Sequence, residues 1–214
     1  MIQKPKNWDN IKPNDFKFEE PEPGAYICKI VNVNLATSKK AGKPMLVVHL
    51  DIKDDGKFDG FFAKDEAMKI GKGWSNITWR LTRWLMLDFD DPNNGNFFSS
   101  AFRGFIDAVT DSNQNWSWDF ANEKCLEGKK VVALVCIEES EKDDGSVRRN
   151  YKVANFYSIP QFKNGNVGKA WLKKADGTKI TYKKRQPDQP RQAADKSDGW
   201  FGEQSDDDVD IPFD

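Results

Sequence analysis

Residues 131–156 read VVALVCIEESEKDDGSVRRNYKVANF, two apolar or alternating runs separated by a polar segment with Asp143-Asp144-Gly145 at its centre. Val131–Ile137 is apolar on both faces, the pattern of a strand covered on both sides. Arg148–Phe156 alternates, with Arg148, Asn150 and Lys152 on one face and Arg149, Tyr151 and Val153 on the other. An Asp-Gly turn between two such runs predicts a β-hairpin at the centre of a sheet. Upstream, Phe98, Ala101, Phe102, Phe105, Ile106 and Val109 recur at helical spacing, with Asn96 or Ser99 placed to cap the N-terminus. That helix is expected to cover the central strand.

Working outward, Ala25–Val33 (AYICKIVNV) follows the turn-forming Pro21–Gly24 and predicts a strand. Met45–Ile52 predicts a second, with Leu46, Val48, Leu50 and Ile52 on one face and Met45, Val47, His49 and Asp51 on the other. Ser38–Pro44 (SKKAGKP) joins them as a basic loop. Asp54-Asp55-Gly56 predicts a turn into a third strand over Lys57–Phe62. Residues 71–90 fit neither period, and their secondary structure is left open. Residues 171–184 (WLKKADGTKITYKK) predict a basic hairpin turning at Asp176-Gly177, appended to the core. The organisation expected is an arm over 1–20, a domain over 21–185, a flexible Pro/Gln/Ser/Gly linker over 186–205 and an acidic tip over 206–214. The fold class expected is mainly β with one helix, which fits a five-stranded Greek-key barrel of the oligonucleotide-binding (OB) type and, on the residues alone, other small β-barrels nearly as well.

The chain has 214 residues, of which 38% are hydrophobic, enough for one core. Its net charge of −1 conceals an asymmetry. Residues 192–214 hold eight acids and one base, a net of −7, so a total of −1 leaves +6 on the other 191 residues. A basic body with an acidic tail suits a polyanion-binding domain whose tail competes with the polyanion. Neither an apolar signal segment nor a membrane-length apolar run is evident, so a soluble, cytoplasmic protein is expected. Cys28, Cys125 and Cys136 form no CxxC pair, and with His49 the only histidine, no metal or other cofactor is expected. Two of these cysteines lie in apolar strand-like runs and are expected to be buried.

The last nine residues, Asp206–Asp214 (DDDVDIPFD), set an acidic run beside a small apolar hook. Asp206, Asp207, Asp208, Asp210, Ile211, Pro212 and Phe213, preceded by their linker, resemble the C-terminal tip of the single-stranded-DNA-binding proteins. The resemblance is specific in the tip and general in the strand-rich body. It implies a protein similar to the small replication and recombination proteins of bacteriophages, whose tip recruits replication, recombination or repair partners. In that family the chain usually ends on Phe, whereas here Asp214 moves the terminal carboxylate one residue outward. The sequence leaves the oligomeric state open, homo-oligomers included.

Sequence-neutral binding of single strands requires cations for phosphates and exposed aromatic faces for bases. The densest such cluster is Trp79-Arg80-Leu81-Thr82-Arg83-Trp84, whose tryptophans serve equally well as core anchors. Lys39, Lys40 and Lys43 in the first loop are candidate phosphate contacts. Lys57, Phe58 and Phe62 are candidates on the expected third strand, and Arg148, Arg149, Tyr151 and Lys152 on the central hairpin. Lys173, Lys174, Lys183 and Lys184 belong to the appended hairpin. Two other readings are weighed: an adaptor whose β domain binds no nucleic acid, and a metal-dependent nuclease using Asp51, Asp54, Asp55 and Asp59. No nucleophile, zinc or phosphate-loop motif is present, and an enzyme is not expected.

Overall fold

The computed structural model describes residues 19–182 apart from 40, 41, 54, 55, 76, 88, 92–94 and 98. The central hairpin forms as expected: β6 (Lys130–Glu141) pairs antiparallel with β7 (Val147–Tyr157). β6 also pairs with β1 (Gly24–Thr37), and β1 with β2 (Pro44–Ile52). β3 (Thr82–Met86) adds to the far edge of β2, within the stretch whose sequence fits neither period. The appended hairpin, β8 (Trp171–Lys173) and β9 (Lys179–Thr181), joins through a parallel pairing of β8 with β6. Two short strands, β4 (Phe89–Asp91) and β5 (Gly95–Phe97), make a separate pair.

The main sheet therefore has seven strands, with the appended hairpin built into it through β8, where a five-stranded barrel carrying that hairpin outside it was expected, and it curls into an open half-barrel. The curl has local causes. The register of β1 against β2 slips between Ile30 and Asn32, and that of β6 against β7 between Leu134 and Val135. Each slip inserts a residue into one strand and increases its bend. The pairings make β3 and β7 run in the same direction, and they face each other across the remaining gap. Arginine side chains bridge it: Arg83 Nη1 donates to the Val153 carbonyl at 3.0 Å, and Arg80 Nη2 to that of Arg149 at 3.4 Å.

The interior is filled by one face of each strand. Tyr26, Cys28 and Ile30 of β1, Leu46, Val48 and Leu50 of β2, Leu85 of β3 and Val131, Ala133 and Val135 of β6 are all buried. The expected helix, α2 (Ser100–Ser112), lays Phe102, Phe105, Ile106 and Val109 on this core. Ser99 Oγ caps it by accepting from the Phe102 amide at 3.3 Å. The opposite face of β6, with Val132, Leu134 and Cys136, packs against Phe162, Val167 and Ala170. Phe162 comes from α3 (Ile159–Lys163), whose Ser158 and Gln161 form a reciprocal capping box. Chain approach is tight here: a Cβ on Gly168 would stand 2.8 Å from the Tyr157 hydroxyl, which accepts the Gly168 amide. Burial of β6 on both faces, inferred from its sequence, is observed, as is burial of Cys28 and Cys136.

The third strand expected over Lys57–Phe62 is not formed. Those residues make a turn and then the first turn of a helix, α1 (Phe61–Gly71), so the described residues hold three α-helices where one was expected. Aromatic residues at 58, 61 and 62 satisfy either period, and the Ala, Lys, Glu and Met that follow favour helix. Gly60, at φ 67°, turns the chain into α1 and carries no capping side chain. Asp51 of β2 supplies the cap instead. Its carboxylate accepts from the amides of Phe62 at 2.9 Å, Ala63 at 3.3 Å and Ile52 at 2.9 Å. Burial raises the Asp51 carboxyl above its ordinary value, and the three amide bonds pull it back in part.

The folded state thus holds the Asp51 proton more tightly than the unfolded chain, so this group's contribution makes stability fall as pH rises just above the usual aspartate range. Asp51→Ala is expected to cost about 2–3 kcal/mol, because it orphans buried amides. Asp51→Asn, which keeps an acceptor without the buried charge, is expected to cost about 1 kcal/mol and to remove that pH dependence. Urea unfolding of both variants between pH 4 and pH 7 checks this; equal losses would show that the amide bonds do not matter.

Candidate nucleic-acid interface

Alternation along β2 and β3 separates an inner from an outer face. Leu46, Val48 and Leu50 point inward, while Val47 stands opposite Trp84 of β3 and Met45 opposite Met86 on the outer face. On the other side of β2, Asn34 of β1 is the partner of Val47. The result is a shallow row, Asn34, Val47 and Trp84, with Met45 and Met86 beside it. Trp84 is 58% exposed, although it is among the largest apolar side chains in the protein. The β1–β2 loop closes the adjacent end, where the Ser38 amide bonds the Lys43 carbonyl at 2.8 Å and Lys39 and Lys43 are exposed. Lys40 lies outside the described residues.

The tryptophans of the 79–84 cluster have separate fates. Trp79 is half-buried, donates its indole N–H to the Leu50 carbonyl at 2.7 Å and meets the His49 ring edge-on at 6.2 Å. It is an anchor. His49 is half-buried as well, with Nδ1 2.9 Å from the Thr82 hydroxyl, and burial lowers its pKa. It is therefore largely neutral at pH 7 and adds no cation to this face.

Several expected phosphate contacts are engaged within the protein. Arg80 pairs with Glu20 at 2.9 Å and with Asp65 at 3.6 Å, and its guanidinium lies 4.8 Å from the Tyr151 ring. Arg149 meets Glu139 at 3.1 Å and Glu22 at 3.5 Å. Lys152 pairs with Glu138 at 2.6 Å, and Lys57 with Glu19. Arg83 is spent on the seam, and burial lowers its pKa. Two of the expected stacking rings are corrected by the structure: Phe62 and Tyr151 are buried in the core, with ring centroids 5.2 Å apart. Burial pushes the Tyr151 phenol far above its ordinary range. Phe58 is half-buried against the same cluster. The physical reason is common to all three: they line the junction of α1 with the barrel, where water is excluded.

A second cationic region lies at the opposite end of β6. Because β8 runs parallel to β6, the β6–β7 and β8–β9 turns project from the same end of the sheet. Arg148, Lys173 and Lys174 are exposed there, and Lys179 lies 5.4 Å from the Trp171 ring. Lys183, Lys184 and the whole tip from Asp206 to Phe213 lie outside the described residues.

Residues 7–74 match the family described as "Protein of unknown function (DUF669)". The DUF669 match takes in β1, β2 and α1, the elements that place Val47 and Asp51, and stops before β3 and Trp84. No curated protein matches the chain. Among the described residues no cluster of three or more His, Cys, Asp or Glu side chains is arranged to hold a metal ion. Of the acids weighed for a nuclease, Asp51 caps α1 and Asp59 pairs with Lys53 at 2.9 Å, while Asp54 and Asp55 lie outside the described residues. No helix among the described residues is long and apolar enough to cross a membrane.

Sequence reasoning gave no sign of the role of Glu19, Glu20 and Glu22. Their partners are many tens of residues away along the chain, and no local pattern announces such pairs.

Proposed function

We propose that this chain binds single-stranded DNA without strong sequence preference and carries its acidic C-terminal tip to replication and recombination partners. The observation that carries the reading is Trp84, a large aromatic face left exposed on β3 beside apolar Val47 and Met86 and next to the Lys39–Lys43 loop. Packing makes little use of it, and base stacking would. The topology supports an oligonucleotide-binding barrel built from five of the seven strands. Around the curl they run β3-β2-β1-β6-β7, and along the chain α2 falls between β3 and β6, the third and fourth strands of the barrel. In such barrels the face of strands 2 and 3, flanked by the 1–2 and 4–5 loops, takes the oligonucleotide. Here that path runs from Arg148 at the β6–β7 turn, across Trp84, to Lys39 and Lys43.

The mechanism is passive. Exposed lysines and Arg148 displace counterions from phosphates, Trp84 stacks on a base, and the tethered tip concentrates partners on the covered strand. Anisotropy titration of a labelled deoxythymidine oligonucleotide tests it, using the full chain and a chain ending at Ser205. Both are expected to bind, with affinity falling as salt rises, and the shorter chain at least as tightly because a competing polyanion is gone. No binding by either at ~50 mM salt, where charge contacts are least screened, would reject the reading.

A further inference from the structure

Residues 19–23, Glu-Glu-Pro-Glu-Pro, cross the end of the seam between β3 and β7 and set three carboxylates against three cationic side chains. Glu20 bonds Arg80 at 2.9 Å and reaches Arg149 at 4.0 Å; Glu22 lies 3.5 Å from Arg149; Glu19 pairs with Lys57. The strap is held from below, since Pro21 and Pro23 are buried and the Tyr26 hydroxyl donates to the Glu22 carbonyl at 2.6 Å. The Tyr182 hydroxyl, just beyond β9, stands 3.5 Å from the other Glu22 oxygen. Arg80 and Arg149 retain 22% and 28% side-chain exposure, so this is a rim site rather than a sealed core pair.

We propose that this strap occupies a phosphodiester-binding site of its own molecule. Glu20 and Glu22 stand in for two phosphates, and a single strand passing the β6–β7 turn displaces them from Arg80 and Arg149. The inference rests on the single-stranded-DNA reading and assigns it a further, gated subsite. The chemistry fits. Guanidinium forks pair with carboxylate and phosphate in the same planar, two-oxygen fashion, and successive carboxylates two residues apart along an extended backbone lie roughly 6.5–7 Å from each other. That spacing is close to the repeat of phosphates along a strand. Glu139 keeps its 3.1 Å bond to Arg149 after the exchange and holds the guanidinium in place.

The test compares wild type with Glu20→Gln/Glu22→Gln in the same anisotropy titration across a salt series. The double variant is expected to bind about tenfold tighter at low salt. Its plot of log affinity against log salt is expected to steepen by about 1.4, from two further phosphates at about 0.7 each. Equal affinity and equal slope, with wild type binding, would overturn the strap proposal and leave the DNA-binding reading standing. Binding by neither protein overturns both. A measurement on the unmodified chain guards against misfolding of the variant. The carboxylate carbon chemical shifts of Glu20 and Glu22 are expected to move when oligonucleotide is added, as their ion pairs with Arg80 and Arg149 break, and unchanged shifts at saturating oligonucleotide would overturn the strap proposal.

Discussion

Trp84→Ala is expected to weaken oligonucleotide binding by roughly 5- to 150-fold, the loss of one stacked base at about 1–3 kcal/mol. Its thermal midpoint should stay within a degree or two of wild type, because the ring is 58% exposed on an edge strand. Trp79→Ala supplies the contrast. Its half-buried ring covers the core and its indole satisfies the Leu50 carbonyl. Truncation is expected to cost about 3 kcal/mol and to lower the midpoint by roughly 6–12 °C. The two tryptophans lie five residues apart in one short cluster, so this pair separates a surface role from a packing role by a few atoms of backbone geometry. If Trp84→Ala bound as wild type does, the outer β2–β3 face would not be the interface.

Phe62→Ala is the second large effect. Phe62 is 2% exposed and meets Phe61 at 5.1 Å and Tyr151 at 5.2 Å, both edge-to-face. It links α1 to β7, and its removal opens a cavity that rigid strands on either side cannot collapse to fill. A loss of about 3–5 kcal/mol is expected, with a matching fall in the midpoint of urea unfolding. Phe62→Leu should recover part of it, since most of the volume returns. Retention of wild-type stability together with lost DNA binding would place the ring on the surface and contradict its burial.

The two variants also show what was legible. The β6–β7 hairpin and α2 were readable because their apolar spacing has one interpretation, and because an Asp-Gly turn and a capping serine bound them. The stretch from Lys57 to Phe62 carries aromatic residues that fit a strand or a helix start, and the residue that decides between them is Asp51, which caps the helix from another strand. In the 79–84 cluster, Trp, Arg, Leu, Thr, Arg and Trp follow no period, because the arginines reach 69 or 70 residues along the chain to close the seam. Among the cations proposed for phosphate, Lys39, Arg148, Lys173 and Lys174 are exposed. Arg80, Arg149, Lys152 and Lys57 are paired with acids that no short-range pattern reveals.

By itself the sequence determined a mainly β domain, its central strand buried on both faces, the covering helix, the basic hairpin and the charge separation between body and tip. These follow from residues within a few positions of one another, where the period of apolar side chains and turn chemistry are sufficient. Only the tertiary structure decided that the sheet curls through two register slips, that α1 replaces a strand, and that Trp84 rather than Trp79 faces outward. It alone set Glu20 and Glu22 on Arg80 and Arg149. Each of those outcomes depends on which distant groups are brought within a few ångströms, and water exclusion at a junction then fixes whether an aromatic or a charge remains available to a ligand.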